Sequence, residues 1–133
     1  MQYFTKYART VDLTHLAGLS SIASAQNEAT VNTELCVEVL LDYLATHPDA
    51  TLRYWASDMI LHIHSDASYL SEAKAKSRVA GYYFMGSVPK NGEPIPLNGA
   101  IYIYSGILKF VVASAAEAEL GALFVNCREG KTI

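Results

Sequence analysis

The sequence contains few cysteines and few charged residues. Its two cysteines, Cys36 and Cys127, lie far apart and form no CxxC pair. Neither a zinc knuckle nor a disulfide framework is therefore expected, and two free, buried thiols in a reducing compartment are the simpler interpretation. Charged residues make up 17% of the chain, and its net charge is -3. This balance excludes a strongly basic protein, so any contact with nucleic acid must come from a local group of basic side chains.

Long apolar runs are also missing. No stretch approaches the roughly 20 apolar residues that cross a bilayer, and the N-terminal ten residues lack the basic cap and apolar core of a signal peptide. We therefore expect an intracellular protein, cytoplasmic or nuclear, with no membrane partner. The chain has 133 residues, of which 51% are hydrophobic, and this is enough to build the core of about one domain.

The first third of the chain predicts two helices. Apolar residues recur at three- and four-residue spacing from Leu13 to Ile22, with Asp12 as a suitable N-cap. A second helix is predicted after Thr30 and before Pro48, because the residue that precedes a proline disfavours helical angles. The apolar stripe of this second helix consists of Val31, Leu35, Val39, Tyr43 and Leu44.

After Pro48 the hydrophobic pattern changes to that of strands followed by a helix. The predicted fold is α+β, with an N-terminal helical hairpin in residues 1–50 and antiparallel strands with a packing helix in residues 51–133. The predicted helix runs from about Ala115 to Arg128, and its apolar face is Leu120, Leu123, Phe124 and Cys127. The predicted strands are Thr51–Ala56, Ile60–Asp66, Val79–Met85 and Ala100–Ser105.

Three acidic residues are candidates for chemistry. Asp66 lies where an apolar strand gives way to small residues, which leave room for a ligand, although a turn aspartate that accepts backbone N–H bonds gives the same pattern. Glu117 stands three residues after Ser114, the spacing of a capping box, so it has a structural role at a helix start. Glu119 has no such role and is the better candidate for chemistry.

A strand aspartate and a helix glutamate that converge repel each other. They therefore favour Mg²⁺ or Mn²⁺, which prefer oxygen ligands. Two such ions, about 3.5–4 Å apart, activate water and stabilise the leaving oxygen in phosphodiester cleavage. This chemistry needs further carboxylates beyond Asp66 and Glu119.

Several motifs of this sequence resemble the ribonuclease H region of copia-type retroelement polyproteins. The specific matches are His64-Ser-Asp-Ala-Ser68, Arg78-Val-Ala-Gly-Tyr-Tyr-Phe84 and Ser114-Ala-Ala-Glu-Ala-Glu-Leu-Gly-Ala-Leu123, in the family's order and spacing. The N-terminal part is similar to the connection between polymerase and ribonuclease H in those polyproteins, with weaker matches at Arg9–Asp12 and Leu41–Thr46. The resemblance covers nearly the whole chain.

The resemblance implies the first part of a ribonuclease H-like fold and Mg²⁺-dependent hydrolysis of RNA in RNA/DNA hybrids. Asp66 and Glu119 then occupy the positions of metal ligands, with Glu117 as the second choice. An A-form-like hybrid is recognised by shape and by 2′-OH and phosphate contacts. The implied phosphate contacts are Lys74, Lys76 and Arg78, for which a solvated loop is the alternative. The polymerase region of the same polyprotein is a further implied partner.

The sequence departs from the family pattern in three respects. The family's third carboxylate follows the strand after the glutamate helix, and this chain ends at Ile133, at or just past that helix. Gly106 stands where copia-type sequences often have lysine, and the Tyr-x-Asp-Asp signature of a polymerase is missing. We therefore expect a truncated domain that does not cleave RNA by itself.

The sequence is also compatible with two other classes of function. His62, His64 and Asp66 alternate along a predicted strand and so share one face, where they could bind zinc. The alternative is that the histidines only pack in a core or on a strand surface, because this gives the same alternating spacing. The third class is a non-catalytic interaction module, because a partial sheet offers an edge to another chain.

Overall fold

The computed structural model describes residues 7, 8, 12–49, 51–72 and 74–133. The chain divides into two compact units, Met1–Leu52 and Arg53–Ile133. The described part of the first unit is helical, and that of the second contains an antiparallel sheet of three strands and one helix. The predicted α+β class is thus confirmed in general terms.

Within residues 12–49, the first unit contains two α-helices, α1 (Leu16–Ala25) and α2 (Val31–Thr46). Short 3₁₀ turns, Leu13–His15 and Gln26–Glu28, flank α1. The predicted N-cap Thr30 is confirmed for α2, whereas Asp12 caps the 3₁₀ turn that leads into α1 and His15 stands at the N-cap of α1. Asp12 accepts a bond from the backbone N–H of Thr14, and Thr30 begins α2 with a capping box that it forms with Thr33.

The two helices of this unit run antiparallel. The edge of the His15 ring meets Tyr43 with 5.3 Å between ring centroids, and Gly18, one turn later in α1, faces Leu40, one turn earlier in α2. The apolar stripe expected on α2 is present but largely exposed to solvent: Val31 is 74% exposed and Val39 is 68% exposed. The buried apolar residues of α1 are Leu16, Leu19 and Ile22.

The sheet of the second unit has the order β1-β2-β3. Its strands are β1 (Ile60–Glu72), β2 (Lys76–Gly86) and β3 (Ala100–Ile107), and α3 (Ala115–Gly130) follows them. The turn between β1 and β2 is shorter than the polar stretch of the sequence indicates. Its Lys74 and Ala75 have φ of 61° and 52°, the left-handed region that tight hairpin turns require.

The predicted strand Thr51–Ala56 is wrong. This segment has no regular secondary structure and joins no strand of the described sheet. The side chain of Asn98 satisfies its backbone instead: Trp55 N–H donates to Asn98 Oδ1 (2.8 Å), and Asn98 Nδ2 donates to Trp55 O (2.9 Å). A side-chain amide thus replaces the partner strand that the pattern of apolar residues suggests.

The helix α3 covers one face of the sheet, but the predicted apolar face is not the one that packs. Leu120, Leu123 and Phe124 are exposed, as are both cysteines of the chain, Cys36 and Cys127. The expectation of buried thiols is therefore also wrong. The buried residues of the helix are instead small or polar: Ala118, Gly121, Ala122 and Asn126.

Aromatic side chains of the sheet fill the space that larger helix residues would otherwise occupy. Tyr83 of β2 is completely buried, and its ring meets that of Tyr102 on β3 edge-on, with centroids 5.2 Å apart. This is the cross-strand packing that β-sheets favour. It leaves Tyr83 no exposed ring face on which a base could stack.

Candidate functional site

A buried asparagine fixes α3 over the first two strands. Asn126 is fully buried, and its Nδ2 donates to Ser65 Oγ and to Ala80 O, both at 2.8 Å. The hydroxyl of Tyr83 donates to Asn126 Oδ1 (2.8 Å) and to Asn126 O (3.0 Å). Burial raises the pKa of Tyr83 well above that of an exposed tyrosine. These bonds link α3, β1 and β2, so they set where every other residue of α3 lies.

The strand β1 carries Asp66 on the face that α3 does not cover. Ser65 points to α3, since it accepts a bond from Asn126, and successive side chains of a strand point to opposite faces. Asp66 lies opposite Ala80 of β2 and is exposed. Its carboxylate has no hydrogen-bond or ion-pair partner among the described residues, so it is available to a ligand.

Glu119 lies on the flank of α3 that runs beside β1. It precedes Asn126 by seven positions, close to two helical turns, and so projects from nearly the same side of the helix. That side faces β1, because Asn126 bonds Ser65 and a Cβ at Gly130 would touch the side chain of Ile63. Glu119 is exposed and, like Asp66, makes no hydrogen bond or ion pair within the described ranges.

Asp66 and Glu119 therefore both lie beside β1, but on opposite faces of the sheet. Asp66 projects from the face that α3 does not cover, and Glu119 projects from α3 on the other face. Seven helical residues rise roughly 10 Å, which is the length of about three strand residues. Glu119 is thus level with the part of β1 just after Asp66. An ion bound by both carboxylates would lie around the outer edge of β1. Across residues 12–49, 51–72 and 74–133, no group of three or more His, Cys, Asp or Glu side chains is placed to hold a metal.

Glu117 has the capping role that its spacing predicts. Its backbone N–H donates to Ser114 Oγ (3.1 Å), and its Oε2 accepts a bond from the backbone N–H of Ala113 (2.7 Å). One carboxylate oxygen is therefore occupied at the start of α3. Of the acidic residues singled out in the sequence, Asp66 and Glu119 are the two with both oxygens available in the described structure.

The candidate phosphate contacts lie at and after the β1–β2 turn. Lys74 and Lys76 are exposed, and Arg78 lies on the same face of the sheet as Asp66, since it is two positions from Ala80. Arg78 Nε donates to Glu72 Oε1 at 2.6 Å, and its Nη1 donates to Ser105 Oγ at 3.3 Å. The guanidinium of Arg78 is thus held in place by the sheet.

The pair of Glu72 and Arg78 gives a testable pH dependence. The hydrogen bond from Arg78 lowers the pKa of Glu72 below its usual value of 4.5. The carboxylate therefore stabilises the fold fully above pH 4.5, and this contribution is lost as pH falls through the lowered pKa. Glu72→Gln is expected to reduce the free energy of unfolding by about 1–2 kcal/mol at neutral pH.

Urea unfolding of the wild type and of Glu72→Gln over a pH series checks this expectation. The difference between the two should shrink as the solution becomes more acidic than pH 4.5. Glu93→Gln is the control, because Glu93 is exposed and lies outside this pair. A difference that stays constant down to the lowest pH would show that the charge of Glu72 is not responsible.

The two histidines of β1 share a face with Asp66, as the alternation in the sequence predicts, but they pack against an aromatic ring. His62 stacks on Phe84 with 5.2 Å between ring centroids, and His64 meets the same ring edge-on at 5.3 Å. His62 Nε2 donates to Ser87 O at 3.1 Å. The Cα atoms of His62 and Asp66 are four strand residues apart, roughly 13 Å. This spacing favours a packing role for the histidines over one shared zinc ion.

Neither a scan against protein-family models nor searches of curated proteins and of solved structures returned a match to this chain. No helix within the described part of the chain is long and apolar enough to cross a membrane.

Proposed function

We propose that this chain is the first part of a ribonuclease H-like domain from a copia-type retroelement, preceded by the connection segment. The observation that carries the proposal is the position of Asp66 and Glu119. One is halfway along the first strand of an antiparallel sheet, and the other lies on the helix that follows the third strand, on the flank beside that first strand. The motifs that resemble the family contain both residues.

The chemistry of the two carboxylates supports this proposal. Asp66 and Glu119 are exposed and have no protein partner in the described ranges, whereas Glu72 is paired with Arg78 and Glu117 caps α3. Oxygen ligands of this kind suit Mg²⁺ or Mn²⁺. When bound, such an ion would supply an activated water and stabilise the leaving oxygen. The chain's own part is to present Asp66 from a rigid strand and Glu119 from a helix held by Asn126.

The proposed substrate is the RNA strand of an RNA/DNA hybrid. Its phosphates would meet Lys74 and Lys76 near the β1–β2 turn and Arg78 on the face that carries Asp66. The net charge of -3 means that this local group has to provide the electrostatic attraction. The polymerase region of the same polyprotein is the proposed protein partner.

We propose further that these 133 residues bind the ion weakly and do not cleave the hybrid by themselves. Two-metal hydrolysis requires more than two carboxylates. In addition, Asp66 and Glu119 lie on opposite faces of the sheet at β1. A labelled hybrid incubated with Mg²⁺ should remain intact. Turnover that Asp66→Asn abolishes would refute the proposed inactivity while supporting the site.

Metal binding is measured best with Mn²⁺, which broadens the NMR signals of nearby nuclei. Broadening is expected first at the amides around Asp66 and Glu119. Asp66→Asn or Glu119→Gln should weaken binding at least about tenfold, which is about 1.4 kcal/mol. Glu117→Gln is the matched control on the same helix and should have little effect.

The proposal would be contradicted if the Mn²⁺ titration gave a different result from the one expected. Broadening centred on other carboxylates, or none that depends on Asp66, would refute the metal site and with it the nuclease assignment. A titration with Zn²⁺ covers the alternative. Tight stoichiometric binding that shifts His62 and His64, with no effect of Mn²⁺, would favour the zinc interpretation.

A further inference from the structure

The outer surface of α3 presents an unusual group of exposed apolar side chains. Leu120 is 68% exposed, Leu123 50% and Phe124 65%, and Cys127 is also exposed. At about 100° per residue, these four residues, the outer stripe, lie on the side of α3 opposite to the small residues that pack on the sheet. Contiguous apolar surface of this kind marks an interaction site more often than a free surface.

Charged residues are arranged around the outer stripe with opposite signs at its two ends. Glu117 lies at the N-terminal end and Arg128 at the C-terminal end, both on one flank of the stripe. The side chain of Arg128 is 64% exposed, and its contact with Glu129 is long, at 3.5 Å. The flank is therefore acidic at the start of α3 and basic at its end.

The apolar positions along α3 are arranged symmetrically about the point between Leu123 and Phe124, and the acidic end of the helix then corresponds to the basic end. If a second α3 lies antiparallel on the first, Leu123 is level with Phe124 of the partner subunit, and Leu120 faces Cys127 of the partner subunit. Glu117 is then level with Gly130 of the partner subunit, about 3 Å along the helix axis from Arg128 of the partner subunit on the same flank, within reach of that long side chain. The symmetry repeats each contact. A parallel arrangement would instead place like charges together.

We propose that α3 is a self-association surface, on which two copies of this chain pack their outer stripes antiparallel around a two-fold axis. The helix has 16 residues and is about 24 Å long, so the interface is small and the dimer should be weak and reversible. Glu119 lies about 90° away from the centre of the stripe, on the flank beside β1. Self-association therefore leaves the candidate metal ligand accessible and does not depend on the proposed nuclease function.

Disulfide cross-linking tests the geometry directly. Leu120→Cys is introduced into a Cys36→Ser background, so that the new thiol and Cys127 are the only two thiols. Mild oxidation should give a covalent dimer, because the new thiol lies level with Cys127 of the partner subunit. Cys36→Ser alone should give little dimer, since antiparallel packing keeps the two Cys127 residues about 10 Å apart, beyond disulfide reach. Efficient cross-linking of Cys36→Ser alone would indicate a parallel pair and overturn the proposal.

Sedimentation over a concentration series tests the association itself. The average mass should rise from 14.5 kDa towards twice that value. Phe124→Ser should weaken association at least about tenfold, since this truncation removes the largest side chain of the stripe. Val111→Ser is the matched control, because Val111 is 98% exposed but lies outside α3. A monomer at every concentration, or a dimer that Phe124→Ser leaves unchanged, would overturn the proposal.

Discussion

Gly81→Ala is expected to destabilise the Arg53–Ile133 unit by about 3 kcal/mol, near the upper end of the usual cost of overpacking a core. A Cβ at this position would lie 2.1 Å from Asn126 Oδ1 and 2.8 Å from Asn126 Cγ. The asparagine is fully buried and its side chain makes three hydrogen bonds. It therefore has no free rotation by which to avoid the new methyl group.

Urea unfolding followed by tryptophan fluorescence measures this effect in the correct unit, because Trp55 is the only tryptophan of the chain. The midpoint should fall with little change in slope. Gly18→Ala is the control, since a Cβ there meets Leu40 Cδ1 at an ordinary 3.7 Å. In a helix interior this change should stabilise α1 by up to about 1 kcal/mol. A wild-type midpoint for Gly81→Ala would show that α3 is free to move away from the sheet.

Asn126→Ala is the second change with a large expected effect, also about 3 kcal/mol. It deprives Ser65 Oγ and Ala80 O of their donor and leaves a cavity beneath α3. A buried polar atom without a partner costs about 1–3 kcal/mol, and the lost packing adds to it. The hydroxyl of Tyr83 retains one acceptor, the backbone oxygen of residue 126, which limits the loss.

The two substitutions should not be additive. Asn126→Ala removes Oδ1 and Cγ, the atoms that a Cβ at Gly81 would approach to 2.1 and 2.8 Å, while Tyr83 Cε2 at 2.8 Å remains. Gly81→Ala should therefore cost at least about 1 kcal/mol less in the Asn126→Ala background than in the wild type. Equal costs in both backgrounds would show that Asn126 is not what requires glycine at position 81.

Local signals in the sequence predicted the starts of α2 and α3 and most of the sheet. The pattern of Ser114 and Glu117 identifies the start of α3, because a capping box depends only on residues a few positions apart. Alternation correctly places His62, His64 and Asp66 on one face of β1. These features are predictable since they involve neighbours in the sequence.

The packing face of α3 could not be predicted in the same way. The usual rule places the largest apolar residues inward, but here the sheet contributes Tyr83, which is completely buried, and the helix accommodates it with small residues such as Ala122. Which partner supplies the volume depends on the tertiary structure. The available signal was a polar residue, Asn126, spaced four and eight positions after Ala122 and Ala118. Its acceptors are distant in the sequence, so its importance emerges from the fold.

The relation between Asp66 and Glu119 was likewise beyond the reach of sequence patterns. A strand pattern shows which residues share a face, but not which face the later helix covers. The bond from Asn126 to Ser65 decides this and places Asp66 on the uncovered face. The resemblance to the ribonuclease H region names the two residues without giving their spatial relation.

The adjacent residues Ser65 and Asp66 also help to fix the register of β1 against β2. If β1 slid by one residue against β2, the carboxylate would turn under α3 and the serine would turn to water. Asn126 would then meet a buried negative charge where it now meets a hydroxyl, and such a charge without a paired cation is strongly unfavourable. The carboxylate proposed as a metal ligand thus also disfavours a shifted register of β1, and a variant with an uncharged residue at position 66 would lose that protection even where no metal is present.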